Sequence, residues 1–346
     1  MTIEAMARPA LGRWIRRPRL WLAAAASVVL LATALALIGH LGPWADPQFV
    51  ELRMPARTDI PVNIAVTRDG VVWFTIEMSD AIGRLKDGKI EKLAKGSENL
   101  EPLGLAAAAD GSAWYTDSRM RAISRVSSDG TITSFNLSTP VARLGRLAVA
   151  PDGAVWFAEP TTVSVTRLKD GVFRRHAVAP LAGAGEGSVG PFGVAIDGEG
   201  AVWATVPESN KLVRISPHGE MTEFELPTRQ SGPGDVAVDS RGTVWVLEQS
   251  ANKIARFAAG RFDELPVPTA NAGLTALAVA PDGSVWFTEL RAHKLGRVRG
   301  NSIKEFALPR TDARPVGVAV DQANNVWYTD LSGWIGMLRA ARARAS

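Results

Sequence analysis

The chain contains no cysteine and only four histidines among its 346 residues. No disulfide can form, and a chain this long buries a core large enough to need none, even in an oxidising compartment. The histidines are scattered: His40 flanks an apolar run, His176 falls on an expected outer strand, His218 stands in a turn, and His293 opens a third strand. In the turn of His218 the other repeat units carry Asp or Asn. None of the four has another histidine or a carboxylate at ligand spacing, which argues against a zinc site. No G-x-S-x-G marks a nucleophile elbow. The Gly-rich stretch LAGAGEGSVGP at 181–191 lacks the Lys-Ser/Thr of a phosphate loop and reads as an insertion. From 48 to 338 no segment shows a 3.6-residue apolar period.

A basic surface is also missing, although the net charge is +4. Residues 1–46 contribute +3, Arg339, Arg342 and Arg344 another +3, and residues 47–338 are left at −2. The basicity therefore belongs to the two ends, and nucleic acid is not an expected partner.

Tryptophan is present at nearly even intervals. Trp73, Trp114, Trp156, Trp203, Trp245, Trp286 and Trp327 are separated by 41, 42, 47, 42, 41 and 41 residues, the 181–191 insertion accounting for the long gap. Each sits in the same phrase, as in LAVAPDGAVWFAE at 147–159 and LAVAPDGSVWFTE at 277–289. A period in this range marks a repeat architecture whose units bury their faces against neighbours. In the sixth unit, strands are expected at 277–280, 284–289, 293–298 and 303–309, broken by Asp-Gly, Gly-Asn and Pro turns. Four short antiparallel strands per unit describe a propeller blade. The expected fold is thus all-β, a seven-bladed β-propeller over 48–338. The seventh unit supplies only three strands, near 316–320, 325–330 and 334–338, and FVELRMP at 49–55 is the matching outer strand. Pairing it into the last blade closes the ring and removes two free edges. The repeated Trp is expected to fill space between blades.

Ahead of the propeller, residues 20–38 carry no charge, and 19 helical residues span roughly 28 Å. Five arginines precede the run, and no Lys or Arg follows until Arg53. The positive-inside rule then gives a cytoplasmic segment 1–19, a transmembrane signal anchor 20–38, a linker 39–47 and a propeller on the periplasmic side. The small-residue candidate Ala34-Leu35-Ala36 lies inside the run, which favours an uncleaved anchor over a secreted product. Residues 339–346 form a basic tail. The expected partners are the inner membrane and a small molecule or protein at the channel mouth.

Three residues after each Trp, the second strand ends on Asp117, Glu159, Glu248, Glu289 or Asp330, on Val206 in the fourth unit, and on Ile76 followed by Glu77 in the first. Eleven after the Trp come Arg84, Arg125, Arg167, Arg214, Arg256 and Arg297, while the seventh unit offers Met337. A ring of carboxylates suits a cation, but acid and Arg stand eight apart across a hairpin. They are therefore expected to form structural ion pairs: Asp117 with Arg125, Glu159 with Arg167, Glu248 with Arg256, and Glu289 with Arg297. On that pattern Asp330 and Arg214 are left unpaired, and with Glu77 they become candidate ligand-binding residues at the mouth.

The phrases DGSVWFTE, KLGRV, IKEFALP and ARPVGVAVD resemble the virginiamycin B lyase, or streptogramin lyase, family over about residues 48–338. The resemblance implies a seven-bladed propeller performing a magnesium-dependent elimination that opens a cyclic depsipeptide at its ester. It also implies two Glu holding the metal and a His acting as general base. In such lyases the last blade opens Glu-Pro-His-Gly-Ile; here the matching residues are Arg314, Pro315, Val316, Gly317 and Val318. A substrate-contacting His corresponds to Thr275, a first-blade Tyr to Val62, and the second metal carboxylate to Leu331, with Asp330 adjacent. Arg314 brings positive charge where a dication belongs, and Val316 takes no proton at any pH. Lyase activity is therefore expected to be absent, with no catalytic residues and no cofactor, and the chain is read as a ligand- or protein-binding module. Arg314 joins the mouth candidates. The alternative is an enzyme of altered chemistry, a carbon–oxygen lyase or an ester- or lactone-cleaving hydrolase, with magnesium as cofactor.

Overall fold

The computed structural model describes residues 48–96, 103–138, 143–178 and 190–340. The expected anchor at 20–38, most of the 181–191 insertion and most of the basic tail lie outside them. Among the described residues no helix is long and apolar enough to cross a membrane.

Seven four-stranded antiparallel sheets follow one another along the chain. Their innermost strands are Ile60–Val66, Leu105–Ala107, Leu147–Val149, Val194–Ile196, Pro233–Val238, Leu274–Val279 and Pro315–Val320. Their second strands are Val72–Glu77, Ala113–Asp117, Val155–Glu159, Val202–Val206, Val244–Glu248, Val285–Glu289 and Val326–Asp330. The seventh sheet borrows its outermost strand from the other end of the propeller: Phe49–Arg53 pairs antiparallel with Trp334–Leu338, Phe49 opposite Leu338 and Arg53 opposite Trp334. The blades and their closure are those expected from the sequence. Individual strands differ from expectation by a few residues, the first of the sixth blade running Leu274–Val279.

Alternation along each second strand gives every blade two different faces. The Trp side meets the following blade, as Trp245 does with Val285 and Phe287, and Trp286 with Val326 and Tyr328. Trp327 meets Val72, Phe74 and Ile76 of the first blade, so the apolar packing closes as the strands do. Trp73 is fully buried and Trp286 nearly so. Each buried indole contributes roughly 4–6 kcal/mol of transfer free energy. Several indole N–H groups donate to the turn that precedes them: Trp203 to Asp197 (2.9 Å), Trp245 to Asp239 (3.2 Å) and Trp327 to Asp321 (3.0 Å).

The opposite face carries an aromatic laid over a glycine. Phe74, Phe287 and Tyr328 stand across from Gly83, Gly296 and Gly336 in register. A Cβ on Gly296 would lie 2.0 Å from the Phe287 ring. We expect Gly296→Ala to cost about 1–3 kcal/mol in a urea titration, because the ring has no free volume to move into. Gly198→Ala, where a Cβ meets nothing within 4 Å, is the control. An equal effect at both positions would refute the packing argument.

Candidate functional site

The inner strands begin at one mouth of the central channel, where the second strands end. In four blades the register slips there, between Pro61 and Ile64, Pro233 and Val236, Leu274 and Leu277, and Pro315 and Gly317. Bulges of this kind re-aim side chains and are common beside binding sites. Threonine hydroxyls hold the irregular segments. Thr75, Thr116, Thr205, Thr288 and Thr329 accept the N–H of Asn63, Gly104, Gly193, Ala276 and Gly317 at 2.9–3.0 Å. Thr205 and Thr329 also donate to the next blade, to the carbonyls of Gly234 and Val62.

Those five N–H groups, with Arg146 and Asp235, occupy one equivalent position around the ring: Asn63, Gly104, Arg146, Gly193, Asp235, Ala276 and Gly317. Four are small and three are polar, and the polar three meet. Arg146 Nη1 donates to Asn63 Oδ1 at 2.8 Å, and Nη2 donates to the Thr275 carbonyl at 3.2 Å and lies 3.5 Å from Asp235 Oδ2. Asn63 Nδ2 donates to the Leu103 carbonyl, and Asp235 accepts the N–H of Leu277 at 3.0 Å. The third blade thus reaches the first, fifth and sixth across the channel. This polar bridge was not foreseen from the sequence, although a comparison of that one position between repeats would have exposed it.

Val62, Thr275 and Val316 surround the same mouth. The Thr275 hydroxyl shares a hydrogen bond with Thr288 (2.6 Å) and donates to the Val316 carbonyl (2.9 Å). Arg314 is exposed, and its carbonyl accepts the N–H of Leu331. Glu77 is half-buried at the mouth end of its strand, opposite Ile60.

Asp330 and Arg214 are not unpaired mouth residues. Asp330 is fully buried, where it accepts from Arg310 Nη2 at 2.5 Å and from the N–H of Ser332 at 2.7 Å. Arg310 also reaches Glu51 on the closing strand, at 3.2 Å. Burial works against the Arg310 charge, but Asp330, Glu51 and Asp312 together raise its pKa. Arg214 lies opposite Trp203, stacks on it at 5.7 Å and pairs with Glu199 at 3.4 Å.

Among the described residues none of the four expected hairpin ion pairs forms, and register is the reason. Each Arg stands opposite the Trp, as Arg125 opposite Trp114, Arg167 opposite Trp156, Arg256 opposite Trp245 and Arg297 opposite Trp286. The acid is three residues farther along, roughly 10 Å away and on the other face. Arg125, Arg167 and Arg256 therefore pair with Asp110 (2.6 Å), Asp152 (3.0 Å) and Asp263 (3.1 Å), and Arg297 stacks on Trp286 at 5.5 Å. Asp117 pairs with Lys95 (3.0 Å), and Glu159 with Arg175 (2.9 Å). Glu248 and Glu289 are fully buried, and among the described residues neither oxygen of either carboxylate has a hydrogen-bond partner of good geometry, although the Ser231 hydroxyl and the Glu264 carboxyl lie beside Glu248. Burial, reinforced by Glu264 beside one and Glu305 beside the other, pushes both pKa values up to about 7.

Among known proteins, the model of the virginiamycin B lyase family matches residues 32–258 and 183–343. The chain belongs to that family. It is similar to a virginiamycin B lyase of Nocardia farcinica, 35% identical over 173 residues, which are 50% of this chain and 57% of the relative. The match therefore spans little more than half of that curated protein. A catalytically inactive variant of virginiamycin B lyase from Staphylococcus aureus, solved with Quinupristin, superposes with a TM-score of 0.77 at 28% identity, covering 84% of this chain and 98% of that one. A structure of YCF48 bound to D1 peptide, 11% identical with a TM-score of 0.65 and covering 85% of this chain and 98% of its own, shares the fold alone.

The donor set does not fit the family's magnesium. At the two positions that the resemblance gives to metal-holding Glu, Arg314 and Leu331 offer no ligand oxygen on their side chains, and the adjacent Asp330 carboxylate is committed to Arg310. Among the described residues no three His, Cys, Asp or Glu side chains group to hold a metal ion.

Proposed function

We propose that this family member is a binding module rather than a lyase, tethered by residues 20–38 with its propeller facing away from the cytoplasm. One observation supports this above the rest: Val62, Thr275 and Val316 gather at the mouth, where the family resemblance asks for proton-transferring and substrate-contacting side chains. A valine cannot serve as a base, and loss of a general base alone costs about 10²–10⁴-fold. The Arg146–Asn63–Asp235 bridge instead gives the mouth a polar floor, and the exposed Arg314 a cation, for a polar ligand or a partner's carbonyl groups.

The alternative, a metal-dependent lyase or hydrolase built on Asp330, is disfavoured because Arg310 holds that carboxylate between blades. Incubating the protein with virginiamycin B and magnesium beside an active streptogramin lyase checks the reading. No ring opening above the uncatalysed rate is expected. Turnover comparable to the active lyase would overturn it.

A further inference from the structure

Between the third and fourth blades, at the end remote from the mouth, a cavity of about 250 Å³ is lined by Trp156, Arg167, Arg174, His176 and the turn Ser216–Gly219, which carries His218. It lies at the far end because Ser216 follows Ile215, which pairs with Val202 at the start of its strand. Among the described residues no acidic side chain lines it.

Three features of its wall point the same way. First, Arg167 and Arg174 stand directly opposite each other on adjacent strands. At the equivalent row the first and fifth blades place Glu91 opposite Arg84 and Asp263 opposite Arg256. Like charges in direct opposition destabilise a sheet, so this blade carries a repulsion that those two neutralise. Asp152 answers Arg167 at 3.0 Å but also takes Lys169 at 2.7 Å, and among the described residues no acid pairs with Arg174. Second, His176 is laid against Trp156 with ring centroids 5.1 Å apart, which fixes the imidazole plane. Its Nε2 is buried and, among the described residues, has no hydrogen-bond partner. Third, the facing turn reads Ser-Pro-His-Gly where the first three units carry Asp87, Asp129 and Asp170, so an acid gives way to His218, and a Cβ placed on Gly219 would lie 3.5 Å from the His176 ring.

We propose that this cavity binds a phosphate-type oxyanion, a phosphate monoester dianion held by the Arg167 and Arg174 guanidiniums, His176 Nε2 and His218. Two guanidiniums and an imidazole on one wall, with the His218 imidazole on the facing turn, offer several donors to tetrahedral oxygens, and charge-assisted bonds of this kind are the stronger class. The anion would relieve the Arg167–Arg174 repulsion, which supplies the driving force without any change of fold. Burial first, then Arg174 and Arg167, hold the His176 pKa below its ordinary value. The ring is therefore neutral at pH 7, and a bound dianion should draw a proton onto it. Asp152, which pairs with Arg167 and Lys169, and Glu220, which follows the facing turn, are charged groups next to this wall.

Calorimetric titration of the full chain with inorganic phosphate, against chloride at matched ionic strength and in two buffers of different ionisation heat, tests the proposal. Saturable binding with proton uptake is expected. Arg174→Gln, at an exposed position that does not threaten folding, should weaken binding at least about tenfold. His176→Phe, which keeps the stack on Trp156, should weaken it similarly and abolish the proton uptake. Phosphatidylcholine vesicles with and without phosphatidic acid distinguish a lipid headgroup from free phosphate as the source. Phosphate heats equal to those of chloride, or affinity unchanged in both variants, would overturn the assignment.

Discussion

Replacing Arg310 by alanine is expected to destabilise the propeller by about 3–5 kcal/mol, because it strands two carboxylates in the interior. Asp330 is fully buried, and Glu51 keeps only 11% of its side-chain surface exposed. Arg310 is the cation that answers both, and it also stacks over Trp334 at 4.8 Å. The Tyr328 hydroxyl donates to Glu51 at 2.8 Å but brings no charge. The damage should fall on ring closure, since Glu51 lies on the strand that completes the last blade. Denaturant unfolding of Arg310→Ala, Asp330→Asn and the double variant forms a cycle. The double variant should recover a large part of the loss, because the removed charge no longer needs its partner. Additive effects, or a loss below about 0.5 kcal/mol for Arg310→Ala, would show that the pair is not coupled.

The second large effect has the opposite sign. Glu248→Gln and Glu289→Gln are expected to stabilise the protein at pH 8 by on the order of 3 kcal/mol each and to leave it nearly unchanged at pH 5. Both carboxyls have folded-state pKa values near 7 against an ordinary 4.5. The folded chain thus holds these protons more tightly than the unfolded chain. Their favourable contribution is complete below about pH 4.5 and disappears as pH rises through 7. Glu264 and Glu305 are shifted the other way: burial opposes the shift, but Lys253 and Thr228, or Lys294 and Thr269, outweigh it. Their contribution is lost only on acidification below the ordinary carboxylate range. Denaturation midpoints of the wild type should therefore fall from pH 5 towards pH 8, with His176, whose lowered pKa favours the folded state at the higher pH, offsetting part of the fall and each Gln variant flattening it. Destabilisation by the amides at both pH values would sink this account.

The blades, their number and their closure are legible because Trp recurs once per blade, and because FVELRMP at 49–55 is of the same type as outer strands such as EFELP at 223–227 and FDELP at 262–266. The charge pairing is not legible from spacing, because acid and Arg eight residues apart in these hairpins are not in direct opposition. Pairing sets Trp286 opposite Arg297 and Glu289 opposite Lys294, so the hairpin's own register, not the count of residues, decides which charges meet. Asp330 looked unpaired because its cation, Arg310, lies in a connection between blades and not in the repeated hairpin. The Arg146 bridge is hidden in the sequence for a related reason: its partners belong to other repeats, and no local rule brings Asn63 and Asp235 to it. Its trace in the sequence is a column where glycine or alanine gives way to Asn, Arg and Asp.

The strand Phe49–Arg53 leaves the ribosome before any blade exists, yet its hydrogen-bonding partner, Trp334–Leu338, is nearly the last part of the propeller to be made. Throughout synthesis that early strand is an open template, and six blades can assemble before it has anywhere to dock. The slow step of maturation should then be the capture of one end of the chain by the other. Nascent copies interrupted before residue 334 would carry a permanently unpaired edge, on which chaperones and proteases can tell unfinished molecules from finished ones.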